Sequence, residues 1–200
     1  MRVMIVGQKW LATAVLDAVL EDGYTVSAVV APAGDRLQAE AGRRGIPYSG
    51  LGRSLSADLV PEGTSVILSA HAHAFIPAAA RARAAHGALG YHPSLLPRHR
   101  GRDAIRWAIH MGERVTGGTV YRMVDLADAG PILAQEWCFI RPEDDAAALW
   151  RRELAPMGVS LFRRVLHQLA TGSAPAVDQD SSLATWEPAF DRPRLGDESG

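Results

Sequence analysis

The sequence predicts an α/β fold in which a mainly parallel sheet is covered by helices on both faces. Three observations predict it: short apolar runs rich in β-branched residues, stretches with helical spacing of apolar residues between them, and Gly or Pro at most junctions. Strands and helices that alternate in this way form parallel sheets, because each helix returns the chain to the edge where the next strand begins. Ligands of such folds bind at the carboxyl ends of the strands, so functional residues are expected directly after strands.

The first half of the chain alternates predicted strands and helices. Residues 2–6 form an apolar run closed by Gly7, and the helical spacing over residues 11–20 ends at Asp22-Gly23. The other elements of this half are strands at residues 25–30, 46–48 and 64–69, and a helix at residues 36–44 that Gly45 ends. The turn-forming run Pro61-Glu62-Gly63 introduces the last of these strands.

The second half continues the alternation and then loses it. The predicted helices cover residues 77–86, 103–111 and 144–169, and the predicted strands cover residues 88–91, 116–123 and 132–139. Pro156 is expected to interrupt the long helical region, because proline has no backbone N–H to donate. Residues 173–200 are expected to form a loop-like tail, which leaves one Rossmann-like domain over residues 1–172.

The composition favours a cytoplasmic protein with a small-molecule ligand. The 21 basic and 22 acidic residues nearly cancel, so the chain lacks the positive field of a nucleic-acid-binding protein. Its single cysteine, Cys138, cannot form an internal disulfide, which favours a reducing compartment. The apolar run at the N-terminus is too short for a signal peptide or a membrane span. No nucleic-acid or membrane partner is therefore expected, and a homodimer is left open.

A histidine directly after a predicted strand is the first candidate for catalysis. His92 begins the loop His92-Pro93-Ser94-Leu95-Leu96-Pro97-Arg98-His99-Arg100-Gly101, which follows the strand at residues 88–91. A histidine side chain has an ordinary pKa of about 6.5, so it can exchange protons near neutral pH. The alternative interpretation is that His92 only hydrogen-bonds a backbone group in a tight loop.

The sequence around His92 resembles the formyltransferase family that uses 10-formyltetrahydrofolate. The resemblance rests on His92-Pro93-Ser94-Leu95-Leu96-Pro97 with Arg100-Gly101, followed by Asp128-Ala129-Gly130. It extends through Trp107-Ala108-Ile109 and residues 117–133 and includes residues 179–186, which is roughly half of the chain. It implies a Rossmann-like formyltransferase domain, similar to the catalytic domains of glycinamide ribonucleotide and methionyl-tRNA formyltransferases, with 10-formyltetrahydrofolate as the co-substrate.

In that family an Asn-x-His triplet and a distant aspartate form the catalytic set. His92 and Asp128 match the histidine and the aspartate, but Gly90 stands at the position of the asparagine. Formyl transfer passes through a tetrahedral oxyanion, so it needs hydrogen-bond donors as well as acid–base groups. Gly90 has no side chain to donate, so we expect His71 or His73 to supply the donor and count His73 in the catalytic set. Tyr91 is a poorer substitute, because strand alternation points it to the other face.

The resemblance also implies the binding residues. The folate is expected to lie against Ser69, Ala70, His71 and Phe75, and against Leu126 and Ala127 before Asp128. The candidate substrate-binding residues are Lys9, Trp10, Arg100 and Arg102. Asp125 is interpreted as a turn residue. His71, His73, His92 and Asp128 are also a set of metal-ligand types, but the family needs no metal and none is expected.

These residues favour transfer of a formyl group from 10-formyltetrahydrofolate to an amine of a small-molecule acceptor. A tRNA acceptor is not expected, because the residues after Gly172 are too few for the barrel domain that methionyl-tRNA formyltransferases carry. Gly7-Gln8-Lys9 lacks a glycine-rich phosphate loop, which argues against glycinamide ribonucleotide. Two alternatives stay open: hydrolysis that releases formate from the folate, and a folate-binding homologue with altered or lost catalysis.

Overall fold

A seven-stranded sheet runs through the protein in this computed structural model, which describes residues 1–191. The strands are β1 (Arg2–Gly7), β2 (Thr25–Ala31), β3 (Tyr48–Gly50), β4 (Val66–Ala70), β5 (Ala88–His92), β6 (Val115–Arg122) and β7 (Ile132–Phe139). Their order across the sheet is β3-β2-β1-β4-β5-β6-β7. Strands β1 to β5 pair in parallel, whereas β6 pairs antiparallel with β5 and with β7. The predicted mainly parallel α/β sheet is confirmed.

Helices cover both faces of this sheet. They are α1 (Lys9–Glu21), α2 (Arg36–Arg43), α3 (Ala78–Arg81), α4 (Ala104–His110), α5 (Ala146–Leu149) and α6 (Ala155–Ala170). On one face, apolar side chains of α1, α2 and α6 belong to the same core cluster as Val3 and Ile5 of β1. On the other face, Met4 of β1 packs with Ile76 and with Ala80 of α3. Because β1 is buried on both faces, its sequence is a continuous apolar run rather than an alternating one.

Two differences between the predicted and the observed bounds have a clear physical cause in the structure. The helix expected over residues 77–86 is only the short α3, because the backbone N–H groups of Ala85 and His86 donate to the carbonyls of Thr64 and Ser65 instead of continuing the helix. The strand expected at residues 46–48 begins at Tyr48, since the preceding Pro47 offers only its carbonyl, which accepts from the N–H of Val29 in β2.

Pro156 does not interrupt the last long helix as expected but lies in its first turn. A π-helical segment, Trp150–Leu154, joins α5 to α6 and precedes the proline directly. Proline is tolerated at the start of a helix, where its missing N–H is not needed. Single π-helical turns occur often at functional sites, and Trp150 at the start of this one faces the cleft described below.

The segment after α6 passes back over the loops that follow β5 and β6. Val177 pairs with Ile132 of β7, and Thr185 exchanges backbone hydrogen bonds with Pro97 and Arg100. Within residues 173–191 this tail is mostly irregular, as predicted, with one 3-10 turn at Ser181–Leu183. Residues 192–200 of the predicted tail lie outside the described residues. It nevertheless packs on the residues that form the candidate site. No helix within residues 1–191 is long and apolar enough to cross a membrane.

Candidate active site

A cleft of about 860 Å³ opens where β4 and β5 end. The segments after β4, β5 and β6 form its walls, and Trp150 and Trp186 close its sides. The sequence-predicted residues that line it are Ser69, His71, His73, Phe75, Gly90, His92, Arg102, Ala127 and Asp128. A cleft at the carboxyl ends of parallel strands is where this class of fold binds its ligands, as the sequence led us to expect.

His92 is the last residue of β5 and is buried, with a side chain held by the loop that follows it. Its Nε2 lies 2.6 Å from the carbonyl oxygen of His99. A carbonyl can only accept a hydrogen bond, so Nε2 carries a proton in this arrangement and Nδ1 is left free to accept or release one. Nδ1 lies 3.7 Å from Oδ2 of Asp128, too far for a hydrogen bond but close enough for the carboxylate to stabilise a positive imidazolium.

Asp128 is fixed in front of His92 by hydrogen bonds to both carboxylate oxygens. Oδ2 accepts from the backbone N–H of Gly101 at 2.8 Å, and Oδ1 accepts from the hydroxyl of Tyr121 at 2.6 Å. The backbone of Asp128 is left-handed, with φ of 53°, a conformation that aspartate tolerates better than most residues. Its carbonyl accepts from the side-chain amide of Gln179 in the tail, at 2.8 Å. The sequence-predicted pair His92 and Asp128 is therefore brought together.

Gly90 faces a tyrosine that the sequence analysis did not identify. It lies opposite Tyr121 in the antiparallel pairing of β5 and β6. A Cβ atom at position 90 would stand 2.9 Å from the ring atoms Cε1 and Cζ and from the hydroxyl oxygen of Tyr121. Burial raises the pKa of Tyr121 well above its usual value, and the neighbouring charge of Asp128 adds to that effect. The phenol therefore stays protonated and can donate a hydrogen bond at neutral pH.

The two histidines after β4 lie at the opposite wall of the cleft. The ring of His71 meets the rings of His73 and Trp150 edge to face, with centroids 5.3 and 5.7 Å apart. Burial lowers the pKa of His71, and the charges of His73 and Lys9 lower it further. Burial, Arg102 and Lys9, in that order, lower the pKa of His73. Both rings line the cleft, but within residues 1–191 no hydrogen bond joins either of them to the His92 and Asp128 pair.

The remaining predicted binding residues stand outside the cleft wall. Arg100 is buried, and its guanidinium donates to Oε1 of Gln179, at 3.1 Å from Nε and 2.8 Å from Nη2. Ala70 is buried within β4, whereas Lys9, Trp10 and Leu126 are exposed.

Two further sequence-based expectations concern Asp125 and a metal site. Asp125, expected to be a turn residue, accepts a hydrogen bond from Arg81 at 2.5 Å and lines the cleft. In the part of the chain that the structure describes, no three His, Cys, Asp or Glu side chains converge as metal ligands would.

The local geometry places a histidine and a carboxylate beside a ligand cleft, an arrangement that can move protons. Residues 51–166 match the family described as formyl transferase. The chain belongs to the formyl transferase family. It is 31% identical over 202 residues to the cytosolic 10-formyltetrahydrofolate dehydrogenase of Xenopus laevis, an alignment that covers 94% of this chain and 22% of that protein. The chain thus spans about a fifth of the length of that relative.

Solved structures of formyltransferases share this fold. Glycinamide ribonucleotide transformylase 1 from Symbiobacterium toebii superposes with a TM-score of 0.78 at 22% identity, covering 90% of this chain and 94% of that one. An N-formyltransferase from Helicobacter canadensis, in complex with folinic acid and dTDP-3-aminofucose, gives a TM-score of 0.74 at 16% identity, covering 92% of this chain and 70% of that one. The predicted formyltransferase resemblance and the Rossmann-like fold are thereby confirmed.

The sequence analysis missed three kinds of contributors to this candidate site. Tyr121 is the second-to-last residue of β6, Gln179 lies in the tail, and Trp150 and Trp186 line the cleft. For Gln179 and Trp186 a signal existed, since both fall in the tail segment that resembles the family. For Tyr121 the only available signal was its size opposite a glycine, which requires the register of two antiparallel strands.

Proposed function

We propose that this chain transfers the formyl group of 10-formyltetrahydrofolate to an amine of a small-molecule acceptor. The observation that carries the proposal is the His92 and Asp128 pair at the end of β5: the free Nδ1 of His92 faces the cleft wall at 3.7 Å from a carboxylate that is itself fixed. Membership of the formyl transferase family supports the reaction. The name of the Xenopus relative and the folinic acid in the Helicobacter complex support the folate.

The chemistry assigns one proton to His92. The amine nitrogen forms a bond to the formyl carbon, and the carbonyl electron pair moves to the formyl oxygen. Nδ1 of His92 takes the proton that the attacking amine loses and returns it to folate nitrogen N10 as the bond from N10 to the formyl carbon breaks. The charge of Asp128 stabilises the imidazolium between these steps. The products are a formamide and tetrahydrofolate, and no external oxidant or reductant is needed.

The residues that line the cleft also favour separate regions for the folate and for the acceptor. Its volume of about 860 Å³ is within the range of small-molecule sites. His71, Phe75 and Trp150 provide an aromatic wall suited to a planar ring. Arg102, in the loop after β5, also lines the cleft, where it suits an acceptor that carries an anionic group. An amino sugar or an amino acid derivative meets this description.

The test is folate turnover with and without amines. Purified protein is mixed with 10-formyltetrahydrofolate and a panel of amino sugars and amino acids, and tetrahydrofolate formation is followed. We expect turnover that depends on one class of amine, together with a rise in Tm when a reduced folate is added alone, because a ligand of the native state stabilises it.

The other outcomes separate the alternatives. Equal turnover without any amine, with release of formate, would establish hydrolysis, in which water takes the place of the amine. A folate-dependent rise in Tm without turnover under any condition would establish a binding protein. Absence of both turnover and a Tm shift at saturating folate would refute the folate proposal altogether.

A further inference from the structure

In this protein a tyrosine occupies the space beside Gly90, the position at which the family has an asparagine. Gly90 leaves a gap on β5, and Tyr121 from the neighbouring β6 fills it. The hydroxyl oxygen of Tyr121 stands 2.9 Å from the point where a Cβ at position 90 would be. The amide nitrogen of an asparagine lies roughly 2.5 Å from its own Cβ, by ordinary bond lengths. The phenol hydroxyl thus lies at about the same distance from the backbone as the missing amide group.

The surroundings of this hydroxyl suit a donor rather than a packing group. Tyr121 is only 5% exposed, yet it lines the cleft beside His92. Its hydroxyl donates to Oδ1 of Asp128 at 2.6 Å, so it is oriented within the catalytic pair and is not free to turn into the core. Burial and the charge of Asp128 raise its pKa, which keeps the proton on the phenol. A hydroxyl has one proton to donate, so it can serve a new acceptor when that proton turns away from Asp128.

We propose that Tyr121 is a catalytic residue that replaces the family asparagine, donating its hydroxyl proton to the formyl oxygen as that oxygen becomes negative. The proposal rests on the formyl-transfer function above and adds to it the group that stabilises the oxyanion. It also revises the sequence-based hypothesis that His71 or His73 takes this role, because the phenol, not an imidazole, fills the place beside Gly90.

The single hydroxyl proton of Tyr121 can be donated first to Asp128 and then to the formyl oxygen. In the structure it is donated to Asp128. When His92 takes the proton of the attacking amine, an imidazolium forms beside the same carboxylate, with Nδ1 3.7 Å from Oδ2 at rest. The charge of the carboxylate is then paired with that imidazolium while negative charge develops on the formyl oxygen, and rotation of the phenol O–H moves its hydrogen bond there. The donor is thus engaged more strongly in the transition state than in the ground state, which is the condition for acceleration.

The test removes only the hydroxyl. Tyr121→Phe is assayed for tetrahydrofolate formation from 10-formyltetrahydrofolate, with hydroxylamine as a small amine that needs no acceptor subsite. We expect kcat to fall roughly 100-fold to 1000-fold, the usual loss for one oxyanion donor, with KM for the folate within about threefold of wild type.

Tyr91→Phe is the matched control. Tyr91 is the neighbour of Gly90 on β5, and its hydroxyl donates to the carbonyl of Leu154 on the other face of the sheet, at 2.6 Å. Tyr91→Phe removes the same atom, also hydrogen-bonded, from a half-buried tyrosine, so Tm should fall while kcat stays within about twofold. Equal effects of the two substitutions on kcat would overturn the proposal, as would a Tyr121→Phe enzyme within threefold of wild type.

A second pair of variants tests the exchange itself. Gly90→Asn alone should lower kcat, because the new side chain collides with the phenol. Tyr121→Val makes room, and Gly90→Asn in that background should recover at least about tenfold in kcat by restoring an amide donor. Additive losses in the double variant, or a faster Gly90→Asn single variant, would contradict the proposal. A wild type that turns over with all variants equal refutes only the role of Tyr121, whereas an inactive wild type refutes the formyl-transfer function as well.

Discussion

Two walls of the same cleft are built in opposite ways. The proposed catalytic cluster (His92, Tyr121 and Asp128) is buried or nearly so. Tyr121 donates to Asp128, and further hydrogen bonds fix His92 and Asp128 to backbone groups and to the tail. The β4 rim (residues 69–75) has exposed side chains at His73 and at Phe75, which is 52% exposed, and its histidines meet only through ring edges. His71 and Asp128 share a left-handed backbone, yet only Asp128 has its side chain fixed.

The difference corresponds to two tasks: proton transfer by the proposed catalytic cluster and ligand binding by the β4 rim. A group that moves a proton must keep its geometry within a fraction of an ångström, so the protein fixes it from several directions. A wall that accepts a large flat ligand needs area and some adaptability, and exposed rings provide both. Substitutions in the catalytic cluster should therefore lower kcat, and substitutions in the β4 rim should act on binding and on pH dependence.

The sharpest test of this division is loss of a proton-moving group. His92→Gln and Asp128→Asn keep the size of each side chain but remove the base and the charge. We expect kcat for formyl transfer to fall on the order of 100-fold to 10,000-fold in each case, with the Tm of the folate-free protein changing far less. Steady-state kinetics and thermal unfolding measure the two quantities. Either variant with the kcat of wild type would remove that residue from the mechanism and place the chemistry elsewhere in the cleft.

The part of this division that could be predicted from the sequence is the part that lies within one short stretch of chain. The strand β7 was expected and found at Ile132–Phe139, since its apolar pattern and flanking turn signals are local. His92 and Asp128 could be identified because each stands in a loop with family-like neighbours. Tyr121 could not, because its proximity to Gly90 follows from β6 running antiparallel to β5, which periodicity alone does not reveal.

Arg100 shows the same limit in another form. Its charge and its loop position indicate a substrate-binding residue, but a side chain 79 positions later in the chain accepts its hydrogen bonds. The partner is Gln179, in a segment whose local sequence predicts only a loop. Pairing between distant loops depends on the whole fold being assembled, and no local pattern encodes it.

A test of intermediate size asks whether the tail belongs to the catalytic cluster. Gln179 donates to the carbonyls of Asp128 and Gly130 and accepts from Arg100. Gln179→Ala leaves a buried guanidinium without that partner, which should cost about 1 to 3 kcal/mol and lower Tm by several degrees. Loss of the support behind Asp128 should also lower kcat on the order of tenfold.

The matched control for the tail is Gln38→Ala. Gln38 also accepts a backbone hydrogen bond, from Gly34 at 2.7 Å, but it is a half-buried residue of α2 and does not line the cleft. It should change Tm slightly and kcat not at all. If Gln179→Ala lowers Tm without any effect on kcat, the tail stabilises the fold but does not position the catalytic cluster.

The smallest expected effect belongs to the β4 rim and concerns pH. Burial, then the charges of His73 and Lys9, lower the pKa of His71, while Asp35 opposes them. The unfolded chain therefore binds a proton at this histidine before the folded protein does, so stability contributed by its neutral form is lost as pH falls below about 6.5. His71→Asn, which suits the left-handed backbone, should lessen the fall in Tm between pH 7 and pH 5 by on the order of 1 °C. Lys9→Asn should give a smaller change in the same direction, because it removes only one of the charges.

Thermal unfolding of the three proteins across this pH range measures the effect, and kcat at pH 7 should stay within about threefold for both variants. A His71→Asn protein with the pH dependence of wild type would show that the rim histidine carries no such penalty, and a hundredfold loss of kcat would move it into the catalytic cluster.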